Sequence, residues 1–330
     1  MNGLGVVVIG RNEGERLRRC MNSVIGRGYT VVYVDSGSTD GSTDVARRLG
    51  AEVVELDMAL PFTMARGRNV GFYKLLELEP EVRLVQFVDG DCELVDGWIE
   101  RARAVFESRP DVTVVCGRRR ERYPDQSIYN RLADFEWNSP IGESKYCGGD
   151  AMMRIDSFRQ VGGYNPTLIA GEEPELCIRL RQNGGKILRI DAEMTLHDIA
   201  MTRFGQFWKR TERAGYAFAE GAAMHGAVPE RHWVNHVRSI IYWGIALPVV
   251  ILVLALPTRG ASLLLGLAYP LQIFRVARRF HAGGMRWPDS WLYGGACMLG
   301  RIPNAVGAIR YWYSRLIGRR QALIEYKTNS

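Results

Sequence analysis

Leu84-Val85-Gln86-Phe87-Val88-Asp89-Gly90-Asp91 is the stretch from which the fold can be inferred. It begins with an apolar run of Val, Leu and Phe, which is typical of a buried strand in a parallel sheet. It ends in two aspartates separated by one glycine, and aspartate is unfavourable inside a strand. Since ligands of open α/β sheets bind at the carboxyl ends of the strands, we expect both carboxylates to line a site. Two like charges there favour a cation such as Mg²⁺ or Mn²⁺, although the pair alone could also be a solvated turn.

The segments before this stretch alternate between two hydrophobic patterns. Short apolar runs predict strands, and apolar residues spaced three or four apart predict amphipathic helices. The predicted strands cover residues 6–9, 29–34 and 53–56, and the predicted helices cover residues 17–25, 43–49 and 65–78. This alternation predicts an α/β fold with a Rossmann-like, mostly parallel central sheet and helices on both faces.

The alternation continues beyond the two aspartates. It predicts helices at 97–108 and 175–183 and strands at 112–116, 147–153 and 186–190. Residues 118–145 are polar, charged and aromatic without a clear period, so the sequence assigns them no structure.

Composition and charge restrict the class of protein. The 330 residues are 47% hydrophobic and 24% charged, which fits a folded domain with an appendage rather than a disordered chain. The net charge of +7 is unevenly distributed, because residues 231–330 hold 13 basic and 2 acidic side chains (+11) and residues 1–230 hold 30 and 34 (−4). A basic, apolar tail on a mildly acidic body favours an anionic membrane surface, and not nucleic acid, as the partner.

The cysteines and the first residues indicate the compartment. The six cysteines are scattered and form no C-x-x-C pair, so we expect reduced, mostly buried thiols. The first predicted strand begins almost at the first residue, without a basic and apolar signal segment, so we expect the body not to be secreted.

The tail contains three apolar or amphipathic segments, at residues 239–256, 261–274 and 291–317. The first is just long enough to cross a bilayer, and the second is shorter. Flanking basic residues would allow a hairpin with both ends in the cytosol, and the alternatives are a re-entrant or interfacial pair or buried core helices. The third mixes Trp, Tyr and Arg with apolar residues and predicts helices in the membrane interface. We therefore predict a body at 1–230 and a membrane-associating helical region at 231–330.

Six groups of motifs follow one another between residues 4 and 200. They lie at 7–13, 34–42, 66–71, 89–91, 148–151 with 162–164, and 171–176 with Arg179. In this order they resemble the motifs of the inverting family 2 glycosyltransferases, whose architecture is called GT-A. Two positions depart from the usual pattern, because Ser36 stands where a second Asp is usual and Glu173 where Asp is commoner.

The resemblance implies a GT-A catalytic domain in residues 1–230. Its activity would be that of a hexosyltransferase, moving a sugar with inversion from a UDP- or GDP-sugar to a cell-envelope glycan or lipid-linked acceptor. The implied cofactor is Mg²⁺ or Mn²⁺. The implied location is the inner (cytoplasmic) membrane, in contact with membrane lipid and with the catalytic domain facing the cytosol.

The resemblance also implies the residues that bind the nucleotide sugar. These candidates are Gly10, Asn12, Glu13, Asp35, Ser38, Arg66, Arg68, Asn69, Asp89, Gly149 and Asp150. Asp35 would accept a hydrogen bond from the base, and Arg68 would neutralise phosphate charge. Without the family context, Asp35 could be a turn residue that caps a helix and Arg68 a solvated surface residue.

Three residues are candidates for the metal and two for the base. Asp89, Asp91 and His197 are the metal candidates; Asp91 is the firmer direct ligand, and Asp89 could instead hold ribose or a metal-bound water. A divalent ion there would stabilise the departing diphosphate. His197 could also contact the diphosphate or be a packed residue. Glu173 is the candidate general base with Glu172 as its rival, although the helix macrodipole alone also favours acids at a helix start.

Two other classes of protein were weighed against this one. A non-catalytic nucleotide-sugar-binding subunit of a membrane polysaccharide assembly system could use the same scaffold, but the candidate metal, phosphate and base residues argue against it. A Rossmann dehydrogenase is excluded, because no G-x-G-x-x-G follows the first strand.

Overall fold

The computed structural model describes residues 3–318. The chain divides into two compact units, which meet in sequence between Ala200 and Met201. The sequence analysis placed its boundary later, at residue 230, and its assignment of a catalytic and a membrane-associating region stays a prediction. Residues 319–330 of the predicted tail lie outside the described residues.

The first unit is built on one nine-stranded sheet. Its strands are β1 (Leu4–Gly10), β2 (Thr30–Asp35), β3 (Glu52–Glu55), β4 (Leu84–Asp89), β5 (Cys92–Leu94), β6 (Val112–Glu121), β7 (Gly142–Glu143), β8 (Ala151–Arg154) and β9 (Lys186–His197). They are ordered β3-β2-β1-β4-β8-β6-β9-β5, with β7 beside β9. Strands β1 to β4 pair in parallel, as do β6 and β9, whereas β8 is antiparallel to both of its neighbours. The predicted α/β class with a mostly parallel central sheet is confirmed.

Helices connect these strands and cover the sheet. They are α1 (Glu15–Val24), α2 (Ser42–Leu49), α3 (Met64–Leu78), α4 (Trp98–Ser108), α5 (Ile128–Trp137), α6 (Ile155–Gln160) and α7 (Glu172–Gln182). Helix α3 approaches the sheet unusually closely at Gly71, where an added Cβ would lie 2.4 Å from Cγ1 of Val7. A glycine at this point therefore lets the helix that carries Arg68 pack directly on β1.

The register of the parallel strands brings three motif residues together. Gly10 at the end of β1 pairs with Asp35 at the end of β2, and Ile9 pairs with Asp89 at the end of β4. The carboxyl ends of adjacent parallel strands form one edge, where ligands of open α/β sheets bind. The apolar strands thus place the two acidic motifs side by side.

Three predicted elements have different bounds in the structure. The strand predicted at 147–153 is limited to β8, because Gly148 has a φ of +81° and turns the chain before it. Strand β9 continues to His197, since β6 and β5 supply hydrogen-bonding partners along its second half. Helix α7 begins at Glu172 and not at Glu175, because Pro174 is compatible with the first turn of a helix.

The second unit is helical throughout its described part. Its elements are α8 (Phe204–His225), α9 (Val234–Ile241), a π-helical turn (Tyr242–Ala246), α10 (Leu247–Ala255), a 3-10 segment (Ala261–Leu267), α11 (Ala268–Ala282), α12 (Trp287–Leu299) and α13 (Arg301–Leu316). Helices α8 and α13 pack closely through Gly215 and Gly307, where an added Cβ would overlap the backbone of the other helix. Glu212 and Arg310 form an ion pair beside this contact.

One helix among residues 3–318 is long and apolar enough to cross a bilayer, judged by length and composition alone. It runs from Val234 to Ala255 and contains α9, the π-helical turn and α10. The second predicted segment, 261–274, is instead divided between the 3-10 segment and α11. Large apolar side chains are exposed on both, for example Leu252, Val253, Leu256, Leu264 and Leu267.

Candidate active site

The turn after β2 is held by the carboxylate of Asp35. Its Oδ2 accepts the backbone N–H groups of Gly37 at 2.9 Å and Ser38 at 2.7 Å, and its Oδ1 accepts the hydroxyl of Tyr33 at 2.9 Å. Burial and the charge of Asp35 both raise the pKa of Tyr33 well above its usual value, so the phenol stays a donor. Asp35 therefore stabilises the turn, as one of its two sequence-based interpretations predicted. Its carboxylate oxygens retain lone pairs for a further donor.

The loops after β1 and β2 are joined by reciprocal hydrogen bonds. The backbone N–H of Asn12 donates to Ser38 Oγ at 2.9 Å, and Asn12 Oδ1 accepts the N–H of Thr39 at 2.7 Å. Glu13 forms an ion pair with Arg16 at 2.9 Å, and an added Cβ on Gly10 would lie 3.1 Å from the Tyr33 hydroxyl. Gly10, Asn12, Glu13, Asp35 and Ser38 thus lie at one side of the strand edge, and their predicted binding of the nucleotide sugar stays a prediction.

Asp89 lies between two arginines. Its Oδ1 pairs with Arg68 at 2.6 Å and its Oδ2 with Arg119 at 3.4 Å. Burial would raise the pKa of Asp89, but these guanidinium groups hold it well below its usual range, so the carboxylate stays ionised. Each oxygen thus faces one guanidinium group and retains a lone pair.

The residues after Gly148 complete this charged network. Asp150 is fully buried and accepts the N–H of Asp89 at 2.9 Å, the Thr195 hydroxyl at 2.8 Å and Arg119 at 2.8 Å. An added Cβ on Gly149 would lie 2.8 Å from Asp89 Oδ2. Asp150 therefore positions other site residues, and the sugar contact predicted for it stays a prediction. Gly149 is a glycine because the charged groups pack against its backbone.

Asp91 has a different environment from Asp89. Its Oδ2 lies 2.9 Å from Nε2 of His197, and Cys92 Sγ lies 3.7 Å from its Oδ1. Burial, with a contribution from the charge of Arg119, lowers the pKa of His197 to about 4, so its imidazole is neutral near pH 7. Nδ1 of His197 is buried and has no hydrogen-bond partner within residues 3–318.

The Asp91–His197 pair is suitable for a divalent cation. Two neighbouring ligands of an octahedral ion with bonds of about 2.1 Å lie about 3 Å apart, which is close to the observed 2.9 Å. A neutral imidazole and a carboxylate are both metal ligands. The carboxylates of Asp89, Asp150 and Glu121 also act electrostatically on His197, against the guanidinium group of Arg119.

The three acids that begin α7 do not face one another. Glu172 Oε1 accepts from Arg68 at 2.7 Å, and Glu175 pairs with Arg179 at 2.6 Å. Glu173 Oε1 accepts the N–H of Cys147 at 2.5 Å and the thiol of Cys177 at 3.0 Å. The candidate base is thus bound by neutral donors, whereas its rival Glu172 is committed to an arginine.

The remaining predicted donor-binding residues have local partners. Arg68 is buried, and its two amino groups donate hydrogen bonds to Glu172 and Asp89. The phosphate contact predicted for Arg68 stays a prediction. The side chain of Asn69 donates to Tyr164 O at 2.7 Å and accepts from Tyr164 N at 2.9 Å. Arg66 donates to the carbonyl of Leu60 at 3.1 Å.

Sequence reasoning missed Arg119, Trp137 and Thr195. Arg119 and Trp137 fall in residues 118–145, which had no assignment. The Trp137 ring lies 4.5 Å from the His197 ring and 5.7 Å from the Arg119 guanidinium, by ring centroids. The available signal was the run of three arginines at 118–120, separated by one residue from the predicted strand at 112–116.

Comparison with known proteins agrees with this geometry. Residues 5–161 match the glycosyl transferase family 2 domain, and residues 127–203 match a domain described as the N-terminal domain of galactosyltransferase. Glycosyltransferase AglE of Haloferax volcanii is 23% identical over 225 residues, covering 64% of this chain and 71% of that protein. The succinoglycan biosynthesis protein ExoA of Rhizobium meliloti is 27% identical over 211 residues, covering 59% and 61%.

A solved structure shows the same fold. It is the mannosyltransferase PcManGT from Pyrobaculum calidifontis in complex with GDP-Man and Mn²⁺, with a TM-score of 0.59, 18% identity, and coverage of 93% of this chain and 86% of that one. The sheet order and this likeness define the fold as GT-A. The family 2 domain match over residues 5–161 confirms the resemblance found in the sequence.

Proposed function

We propose that this protein transfers a hexose, with inversion, from a nucleoside diphosphate sugar to a cell-envelope glycan or lipid-linked acceptor. The observation that carries the proposal is the Asp91–His197 pair, 2.9 Å apart at the carboxyl edge of the sheet, beside the charged network of Arg68, Asp89, Arg119 and Asp150. Nothing in the structure or the comparisons favours the alternative of a non-catalytic subunit.

Asp91 and His197 would hold a divalent cation, Mg²⁺ or Mn²⁺. When bound, the ion supplies electrostatic stabilisation to the departing diphosphate. Asp89 would act through the guanidinium groups of Arg68 and Arg119, which it keeps fixed beside the metal ligands. The Asp35 turn would receive the nucleoside, because its carboxylate already lies at the same edge and has acceptor capacity left.

Glu173 would remove the proton from the acceptor hydroxyl. Its Oε1 is oriented by the N–H of Cys147 and the thiol of Cys177, and its Oε2 has no hydrogen-bond partner within residues 3–318. A base that is oriented through one oxygen keeps the other for the proton. Glu172 would instead hold Arg68 in place through their 2.7 Å ion pair.

The named relatives support a choice of donor and acceptor to test. One solved relative binds GDP-Man with Mn²⁺, and one curated relative is named for succinoglycan biosynthesis. We therefore propose a GDP- or UDP-hexose as donor. The apolar helix Val234–Ala255 and the exposed leucines near it support attachment to the cytoplasmic membrane, with the site facing the cytosol.

The proposal is tested first by thermal shift with UDP- and GDP-hexoses, each with and without Mn²⁺. We expect one nucleotide class to stabilise the protein, and to do so more strongly with Mn²⁺. Equal, metal-independent shifts for all nucleotide sugars, or none, would contradict the metal-assisted donor site.

The donor identified in this way is then used to test the base. Glu173→Gln should lower transfer or donor hydrolysis by about 10²- to 10⁴-fold and leave the thermal shift with donor unchanged. Glu172→Gln should weaken donor binding through Arg68, and the exposed control Glu107→Gln should behave as wild type. Loss of activity in Glu172→Gln alone would assign the base to Glu172. NMR of the anomeric proton of the product tests inversion.

A further inference from the structure

A groove separate from the candidate active site lies against β6 and β9. Its volume is about 470 Å³, and it is open to solvent. Arg118, residues 138–141 and the β9 residues Arg189, Asp191 and Glu193 line it. None of these residues is used by the proposed chemistry.

Arg189 is the unusual residue of this groove. It is only 4% exposed, and its one hydrogen bond runs from Nη1 to the carbonyl of Ile190 at 2.7 Å. Its Nε is buried and has no hydrogen-bond partner, and no carboxylate of residues 3–318 forms an ion pair with it. A buried guanidinium is costly unless an anion and hydrogen-bond acceptors replace its lost water.

The two other arginines beside Arg189 are already paired. Arg118 donates to the carboxylate of Asp134 at 3.0 Å, and Arg120 pairs with Glu193 at 3.1 Å. Burial lowers the pKa of Arg118, and the charges of Arg189 and Arg120 lower it further against the opposing effect of Asp134. Arg189 is therefore the buried cation of this groove that has no ion-pair partner within residues 3–318. Asp191 is exposed and lies beyond ion-pairing distance of Arg189.

We propose that this groove binds an oxyanion, a phosphate or a carboxylate, carried by a sugar, and that Arg189 is its partner. A guanidinium matches both oxyanions through paired N–H donors. The side chains of Asn138, Ser139 and Asp191 supply hydrogen-bonding groups for neighbouring hydroxyls. The volume of the groove fits a small ligand of this kind.

The position of the groove suggests which molecule provides the sugar, a step that rests on the proposed function. Residues 138–141 directly follow Trp137, whose ring packs on His197 at 4.5 Å. A charged sugar unit of the acceptor could therefore occupy the groove while another part of the acceptor reaches Glu173. This would make the groove a specificity site for anionic acceptors.

Binding is tested on the full chain with three probes: glucose 6-phosphate, glucuronate and uncharged glucose. Measured by calorimetry, wild type should bind one or both anionic sugars at least tenfold more tightly than glucose. Comparing glucose 6-phosphate with glucuronate identifies whether the groove prefers a phosphate or a carboxylate. Arg189→Met should abolish this preference, and Arg189→Lys should reduce it. The matched control Arg101→Met, an exposed arginine on α4, should retain it.

The outcomes are decisive even if a variant does not fold. Absence of any anion preference in wild type overturns the proposal, as does wild-type binding by folded Arg189→Met. The thermal shift with Mn²⁺ and nucleotide sugar is measured on the same Arg189→Met protein and should be unchanged. It reports the proposed catalytic function separately, so failure of one proposal can be distinguished from failure of the other.

Discussion

The two sides of the candidate site differ more than the sequence Asp89-Gly90-Asp91 indicates. On one side Asp89 is fixed between Arg68 and Arg119, and its charge is balanced in the folded protein. On the other side Asp91 faces His197, whose neutral imidazole supplies a hydrogen bond but no positive charge. One glycine separates a carboxylate held by two guanidinium groups from a carboxylate beside a neutral imidazole.

Because of this difference, we expect the two carboxylates to have different roles. A buried carboxylate with a neutral partner retains its charge for a ligand, whereas one held by two guanidinium groups serves to fix those groups. We therefore expect the Asp91 side to control metal binding and activity. The arginine side, made of Arg68, Asp89, Arg119 and Asp150, should control stability.

The largest expected effect is on the Asp91 side of the site. Asp91→Asn removes the only charged member of the Asp91–His197 pair and should lower Mn²⁺-dependent transfer by about 10³-fold, as expected when one group that stabilises the transition state is lost. Activity is measured by release of nucleoside diphosphate, and Mn²⁺ binding by electron paramagnetic resonance. The folded fraction should not fall.

The control for this variant is Asp96→Asn, an exposed aspartate that pairs with Arg27. It should retain wild-type activity, because surface ion pairs contribute little. If Asp91→Asn kept full metal-dependent activity while Asp89→Asn lost it, the roles assigned to the two sides would be reversed.

The next effect should appear in stability on the arginine side. Arg119→Met leaves Asp150 buried without its cation and should lower the free energy of unfolding by about 3–5 kcal/mol, measured by urea denaturation. The neighbouring Arg120→Met removes an exposed pair with Glu193 and should cost less than about 1 kcal/mol. Equal losses in the two variants would mean that the buried network is not what stabilises this region.

The sequence was sufficient for the half of the fold that depends on local patterns. Strands β1 to β4 and helices α2 and α3 agree with their predicted positions within a few residues, because a buried parallel strand and an amphipathic helix each have a period that is visible in the chain. The same patterns placed Asp35 and Asp89 at one edge, since parallel strands align their carboxyl ends.

The rest depends on partners that are distant in sequence. The second half of β9 lies beyond the apolar pattern that predicted a strand at 186–190, and it forms because β6 and β5 pair with it. That extension brings Thr195 to Asp150 and His197 to Asp91, over separations of 45 and 106 residues. Arg119 could not be placed for the same reason, because its partners Asp89 and Asp150 meet it only in the folded sheet.

A smaller effect is expected where the backbone meets the arginine side. Gly149→Ala places a methyl group 2.8 Å from Asp89 Oδ2 and 2.9 Å from an amino group of Arg68, so these groups must move apart. We expect a loss of about 1–3 kcal/mol in the free energy of unfolding, from overpacking, with Mn²⁺ affinity nearly unchanged. Gly295→Ala, whose Cβ would meet nothing within 4 Å, is the control. A loss of Mn²⁺ binding in Gly149→Ala would show that the two sides are coupled.

The smallest effect should come from changing His197, the neutral member of the Asp91–His197 pair. His197→Gln keeps a hydrogen-bonding group near Asp91 but removes the imidazole, and we expect Mn²⁺ affinity to fall by about tenfold, the low end of the range for altered metal surroundings. Because Asp91 still provides the charge, the loss should be smaller than in Asp91→Asn when both are measured by the same Mn²⁺ titration. Wild-type affinity in His197→Gln would show that Asp91 binds the ion with other ligands. An equal loss of Mn²⁺ affinity in His197→Gln and Asp91→Asn would show that the ion needs both ligands. The charge of Asp91 would then not make it the more important of the two.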